Sequence, residues 1–270
     1  MRSAFAQRAA RNGIVNKVLK LPLAFMTDDE IVASYKGAIT SKTKVILVSH
    51  MFNETGQLLP VRKICDMAHE HDVEVIVDGA HSFAHVADQI PDLHCDYYGA
   101  SLHKWMLAPL GTGLLYIRKE KIHKVWPLFG SRRYDSDSIK KFNHIGVHPG
   151  YIKLGISEAI RFNESIGLKR KEARLRHLKN YWVSQLLDVP SIVVDTPVED
   201  HRSCAITTVG IKGMNPRDLA TALYDQYRIL TVGVGSKDVR YSGVRICPNL
   251  YTTHSQLDLF VNAMQEFASA

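Results

Sequence analysis

The stretch Gly99-Ala-Ser-Leu-His-Lys-Trp-Met-Leu-Ala-Pro-Leu-Gly-Thr-Gly113 decides the reading of this chain. A strand-like run, Cys95 to Ala100, leads into it. A turn at Pro109 and Gly111 leads out of it into a second strand, Gly113 to Arg118. Lys104 sits at its centre, just beyond a strand end. Upstream, Val73-Glu-Val-Ile-Val-Asp78 is a short apolar run that ends on a carboxylate. Strand and helix signals alternate across this half. Lys44 to Ser49 reads as a buried strand, and Pro60 to His71 as a helix with proline in its first turn. A further helix starts at Thr27, where Glu30 completes a capping box, and runs toward Ala38. The alternation predicts an α/β domain with a mainly parallel sheet. Asn53, Asp78, His81, Ser101, His103 and Lys104 all fall just after strand ends. Independent stretches therefore converge on the carboxyl edge of one sheet, where open α/β sheets bind ligands.

A lysine and an aspartate in this order point to a covalent cofactor. An amine forms a Schiff base with an aldehyde. A carboxylate keeps a pyridine nitrogen protonated, so that the ring accepts electrons. Pyridoxal phosphate is the cofactor that needs both. On this reading Lys104 carries the Schiff base and Asp78 pairs with the ring nitrogen. Ser101 and His103 donate to the phosphate, and Ala80 leaves room for the flat ring. His81 reaches the ring hydroxyl or the ring face, and Asn53 the hydroxyl. Taken singly, a lysine after a strand is ordinarily a solvated surface residue and an aspartate at a strand end a turn or cap. Their joint order and placement favour the site.

The rest of the chain sets bounds. Residues 3–11 read as a helix stopped at Asn12-Gly13, and Ile14 to Leu21 alternates apolar and polar like a strand. Beyond Lys119 the pattern is irregular from Trp126 to Pro149. A long helical region follows, Ile152 to Leu187, broken near Gly167. Strands at 191–195, 204–211, 229–234 and 243–246, with helices at 216–226 and 255–267, predict a smaller α+β domain. The expected division is a large domain over 1–150 and a linking helix with the small domain over 151–270.

The 270 residues are 46% hydrophobic and 23% charged, with no apolar run of spanning length. The net charge of +7 is spread out, with short clusters such as Lys169 to Lys171. That pattern disfavours nucleic-acid binding and suits anionic small molecules. Cys65, Cys95, Cys204 and Cys247 lie far apart, without a Cys-x-x-Cys pair. This argues for reduced thiols in the cytoplasm and against a disulfide framework or a metal site.

Val77-Asp-Gly-Ala-His81, Ser101-Leu-His-Lys-Trp105 and Leu115-Tyr-Ile-Arg-Lys119 resemble the class V aminotransferase family of fold-type I pyridoxal-phosphate enzymes. The isopenicillin N epimerase-like branch is the nearest, with cysteine desulfurases and selenocysteine lyases as cousins. The resemblance runs from about residue 10 to the C-terminus and is most specific in the central motifs. It implies Lys104 as the Schiff-base lysine, Asp78 as the partner of the pyridine nitrogen, and His81 and Asn53 beside the ring hydroxyl. It implies Ser101 and His103 as phosphate ligands, and Arg245 as the clamp on a substrate carboxylate, a task that suits a planar fork. It also implies a homodimer with sites at the subunit boundary. The activity expected is that of an enzyme acting on an amino acid or derivative by transamination, epimerisation or elimination.

Three departures from the family pattern qualify these expectations. Family members carry a segment ahead of the equivalent of residue 1, so the sequence reads as N-terminally incomplete. Val147, in Phe142-Asn-His-Ile-Gly-Val147, stands where the family commonly has a phosphate-reaching threonine. The region Val232 to Ser242 has no cysteine, which argues against the desulfurase chemistry of that family. The first two departures keep open an alternative: a catalytically incompetent remnant, or one half of a split enzyme.

Overall fold

A computed structural model describes residues 2–22, 26–235 and 242–269. Its first sheet comprises β1 (Val45–Ser49), β2 (Glu74–Asp78), β3 (Tyr97–Ser101) and β4 (Gly113–Ile117), in that spatial order. β1 pairs with β2, and β2 with β3, in parallel; β4 closes the edge antiparallel to β3. The sheet is therefore mainly parallel, as the alternation predicts. Its apolar strands suit burial: Val48, Val75 and Val77 are almost wholly enclosed. Helix α3 (Val61–His69) covers them with Val61, Ile64, Cys65 and Ala68, which share one face at helical spacing. Helix α2 (Asp28–Lys36) begins at Thr27, and both bonds of the capping box are formed. Helix α1 spans Arg2–Asn12. The alternating run after it is not a strand: residues 13–22 join no ladder among the described residues, and Val15 is 90% exposed. Alternation makes a strand only where a partner supplies hydrogen bonds and a covering face.

The expected long helical region is two helices, α4 (Tyr151–Ile166) and α5 (Leu168–Val183). Gly167 breaks them at φ +85, a left-handed conformation open to glycine. The second sheet is antiparallel throughout, with β5 (Ile192–Val194), β6 (Thr207–Ile211), β8 (Ser242–Ile246) and β7 (Val232–Gly235) in that order. Helices α6 (Pro216–Tyr227) and α7 (His254–Ser269) pack on it with α5 around the buried Trp182. The strand expected from Cys204 starts only at Thr207. Residues 204–206 instead join a small apolar cluster with Met51, Val86, Trp105 and Leu175, which ties the two sheets together.

Glu74, at the start of β2, anchors the far end of the first sheet. Its carboxylate accepts from Lys121 and Lys124 at 2.8 Å and from the Tyr97 hydroxyl at 2.7 Å. Burial pushes its pKa up, but the three donors outweigh burial and hold the carboxyl down at about 2, against an ordinary value of 4.5. A folded-state pKa below the unfolded one stabilises fully above the unfolded value, and that stability is lost as pH falls toward the folded value. Glu74→Gln is expected to cost about 1–3 kcal/mol at pH 7 and to flatten the acid limb of the stability curve between roughly pH 4.5 and 2. Urea midpoints measured across that range check it.

Candidate active site

The first sheet presents its chemistry at the carboxyl ends of β2 and β3. Asp78 is the last residue of β2, and register places it beside Gly99 of β3. Its Oδ1 accepts from the Ala80 amide at 3.0 Å, which fixes the turn that carries His81. Gly79 lies inside this turn against the buried Tyr98: an added Cβ would fall 1.9 Å from the phenol oxygen. β3 ends at Ser101, and the chain turns at once through Leu102 to Ala108. Lys104 is carried in that turn, and its Nζ stands 3.0 Å from His81 Nε2.

The electrostatics at this pair are coupled. Desolvation lowers the Lys104 pKa below its ordinary 10.5; the Asp78 charge raises it, and the Arg245 charge lowers it further. Desolvation, then the charges of Lys104 and Arg245, hold His81 down at about 4. His81 is therefore neutral near pH 7. Its Nε2 then accepts from the Lys104 ammonium, and the proton falls to Nδ1, a buried atom without a partner. Arg245, on β8, donates from Nη1 to the Asn53 carbonyl at 3.0 Å, and its buried Nε also lacks a partner.

The structure thus brings Lys104, His81, Asp78 and Arg245 into one electrostatic neighbourhood, although they are drawn from both sheets. Asn53 enters it through its backbone carbonyl and is exposed as a residue. His103 turns its Nδ1 toward the Thr112 carbonyl at 3.3 Å. Ser101 ends its strand opposite Gly113, and Ala80 is half-buried beside Asp78. Val147 is fully exposed, away from any buried surface. Burial raises the Cys247 thiol pKa. Residues 236–241, most of the region read for a nucleophilic cysteine, lie outside the described residues. Among the described residues no group of three or more His, Cys, Asp or Glu could hold a metal ion.

His85 was not among the residues singled out from sequence. It is fully buried, stacks on Trp105 with ring centroids 3.6 Å apart, donates from Nδ1 to the His81 carbonyl at 2.9 Å and accepts at Nε2 from the Ala205 amide at 3.0 Å. Burial drives its pKa down to about 3, so it bridges the two sheets as a neutral ring.

A desolvated amine, a carboxylate within its electrostatic reach, a neutral imidazole at 3.0 Å and two buried donors without partners fit a compact aromatic aldehyde with acceptor groups. These groups stand together on the carboxyl edge of a mainly parallel α/β sheet and form the candidate site of the chain. The family model for class V aminotransferases matches residues 5–260. The chain belongs to the class V aminotransferase family, whose cofactor is pyridoxal 5'-phosphate. It is 26% identical over 281 residues to the isopenicillin N epimerase of Streptomyces clavuligerus, covering 98% of this chain and 70% of that protein. A probable cysteine desulfurase of Halalkalibacterium halodurans is 32% identical over 194 residues, covering 68% of this chain and 47% of that protein. In fold, the chain is similar to the cysteine desulfurase of Thermococcus onnurineus NA1, with a TM-score of 0.82 at 22% identity over 98% of this chain and 69% of the other.

Proposed function

We propose that this protein acts at the α-carbon of an amino acid or derivative, by transamination, epimerisation or elimination. The carrying observation is the Lys104 amine, desolvated and 3.0 Å from a neutral imidazole, with Asp78 and Arg245 in its field. When bound, pyridoxal phosphate supplies an aldehyde that captures amines and a ring that accepts electrons. Lys104 is the residue that would hold it, and Asp78 the carboxylate that would face its ring nitrogen. His81 would lie beside the ring, with Asn53 toward its hydroxyl and Ala80 leaving space for it. Ser101 and His103 would donate to the phosphate. Lys104 also serves as the base: desolvation lowers its pKa below the ordinary lysine value, which eases release of its proton so that the amine can take one from carbon. Arg245 would clamp the substrate carboxylate, exchanging the Asn53 carbonyl for a charged acceptor. The desulfurase reaction of some relatives is not the reading favoured here, because Val232 to Ser242 contains no cysteine.

The working unit proposed is a homodimer. Trp126, Leu128, Phe129, Tyr151 and Leu154 are exposed along the segment that joins the sheets, and this many large apolar side chains left in solvent suits cover by a second copy of the chain. The domain division proposed stays at residue 150, ahead of α4. Cytoplasmic location is proposed from the free thiols; among the described residues no helix is long and apolar enough to cross a membrane.

The test is α-proton exchange. The cofactor-loaded protein is incubated with a panel of amino acids in deuterated water and followed by proton NMR. Loss of the α-proton signal from at least one amino acid supports the proposal. No exchange from any member of a broad panel, by a protein that retains the cofactor, overturns it and favours the incompetent remnant.

A further inference from the structure

Lys171 belongs to a cluster, Lys169 to Lys171, that reads in sequence as scattered surface charge. The structure buries it completely. Its Nζ donates to two uncharged oxygens: the Trp105 carbonyl, and Asn163 Oδ1 at 2.8 Å. Asn163, itself buried on α4, donates from Nδ2 to the Met106 carbonyl at 2.9 Å and to the Ala159 carbonyl at 2.8 Å. Trp105 and Met106 are the two residues that follow Lys104. Helices α4 and α5 thus each supply one polar side chain, and the two side chains take consecutive carbonyls of the lysine-bearing turn.

The turn has reason to need holding. Leu107 stands at φ +63, a left-handed conformation that costs a residue with a Cβ. Its amide donates to the Lys104 carbonyl at 3.1 Å, and the Ala108 amide returns to the Leu102 carbonyl at 3.0 Å. A strained backbone persists only where its surroundings over-determine it. An amine buried among neutral partners is costly, and burial lowers the Lys171 pKa to about 8. An apolar residue would fill the same volume more cheaply. What an apolar residue lacks is a donor that reaches the Trp105 carbonyl.

We propose that Lys171 and Asn163 are positioning residues that fix the presentation of Lys104 by holding the Trp105 and Met106 carbonyls. The inference rests on Lys104 being the amine that takes the cofactor.

The test compares Lys171→Met and Asn163→Ala with Leu223→Ala, a core truncation beside the second sheet that serves as a stability control. Each protein is loaded with pyridoxal phosphate. The pH midpoint of the visible absorbance, the rate of cofactor release to a scavenger, and amide exchange over residues 102–108 are then measured. Both brace variants are expected to shift the pH midpoint by ~0.5 unit or more and to release cofactor about tenfold faster. They should also lose protection over 102–108, while Leu223→Ala changes none of these. An unchanged midpoint, release rate and exchange pattern in Asn163→Ala overturns the brace, and this variant decides should Lys171→Met not fold. A Lys104→Ala protein that keeps the wild-type absorbance overturns the reading of Lys104 itself, which is a separate failure.

Discussion

Lys104→Ala should abolish the visible absorbance that wild-type protein develops with pyridoxal phosphate, and lower turnover by on the order of 10⁴-fold. Two losses combine. The amine that captures the aldehyde is gone, and so is the base at the α-carbon. Lys171, whose amine reaches the backbone of the residue after Lys104, is buried and committed to the Trp105 carbonyl and Asn163, so it offers no replacement. Lys104→Arg separates charge from nucleophilicity: it retains a cation near Asp78 but lacks an amine able to condense with an aldehyde. It should fail as completely as alanine. The substitution also has a readout that needs no cofactor. The Lys104 charge helps to hold His81 at about 4, so in the alanine variant the His81 pKa should rise toward its ordinary 6.5, visible by NMR titration. Desolvation is the larger cause, so the rise should be partial. An alanine variant that keeps absorbance and activity would remove Lys104 from the site.

The sequence carried the local parts of this site. Asp78, His81 and Lys104 stand next to strand ends, and a strand end is readable from an apolar run and the turn after it. The class of the first sheet followed from the same signal. What could not be read were contacts between a side chain and a distant carbonyl, because a carbonyl has no identity in the sequence. Lys171 looked like solvated charge since nothing in its neighbourhood names Trp105, which lies 66 residues away. Asn163 is the same case, with the Met106 carbonyl 57 residues away. The misread strand at 14–21 is the converse case: its pattern was right and its partner absent among the described residues. Arg245 was found only through the family resemblance, and its tether to Asn53 spans 192 residues.

That tether belongs to a larger joint, and Gly56→Ala should break it. Three consecutive carbonyls after β1 are taken by side chains of the second half: Asn53 by Arg245, Glu54 by the Thr208 hydroxyl at 2.6 Å, and Thr55 by the Thr196 hydroxyl. Gly56 closes this loop at φ +71, and a Cβ there would lie 1.9 Å from the Ile206 carbonyl oxygen. Neither the left-handed backbone nor the rigid carbonyl can yield cheaply. Together they are expected to cost about 2–5 kcal/mol, a large share of a typical folding free energy. If the loop withdraws to relieve the overlap, Asn53 leaves Arg245, and the second half loses its register against the lysine-bearing sheet. KM for the amino-acid substrate should then rise about tenfold while kcat falls less, since the proton-transfer group stays on the first sheet. Gly111→Ala is the comparison that isolates the cause. Gly111 has φ +84 but nothing within 4 Å of an added Cβ, and it lies in the Lys104 stretch itself. It should cost only about 1 kcal/mol and leave KM alone. Equal destabilisation at the two glycines would mean that backbone strain alone accounts for Gly56. A much larger effect at Gly56, with KM rising beside it, would show that contact between the halves is what holds the carboxylate clamp in reach of the lysine.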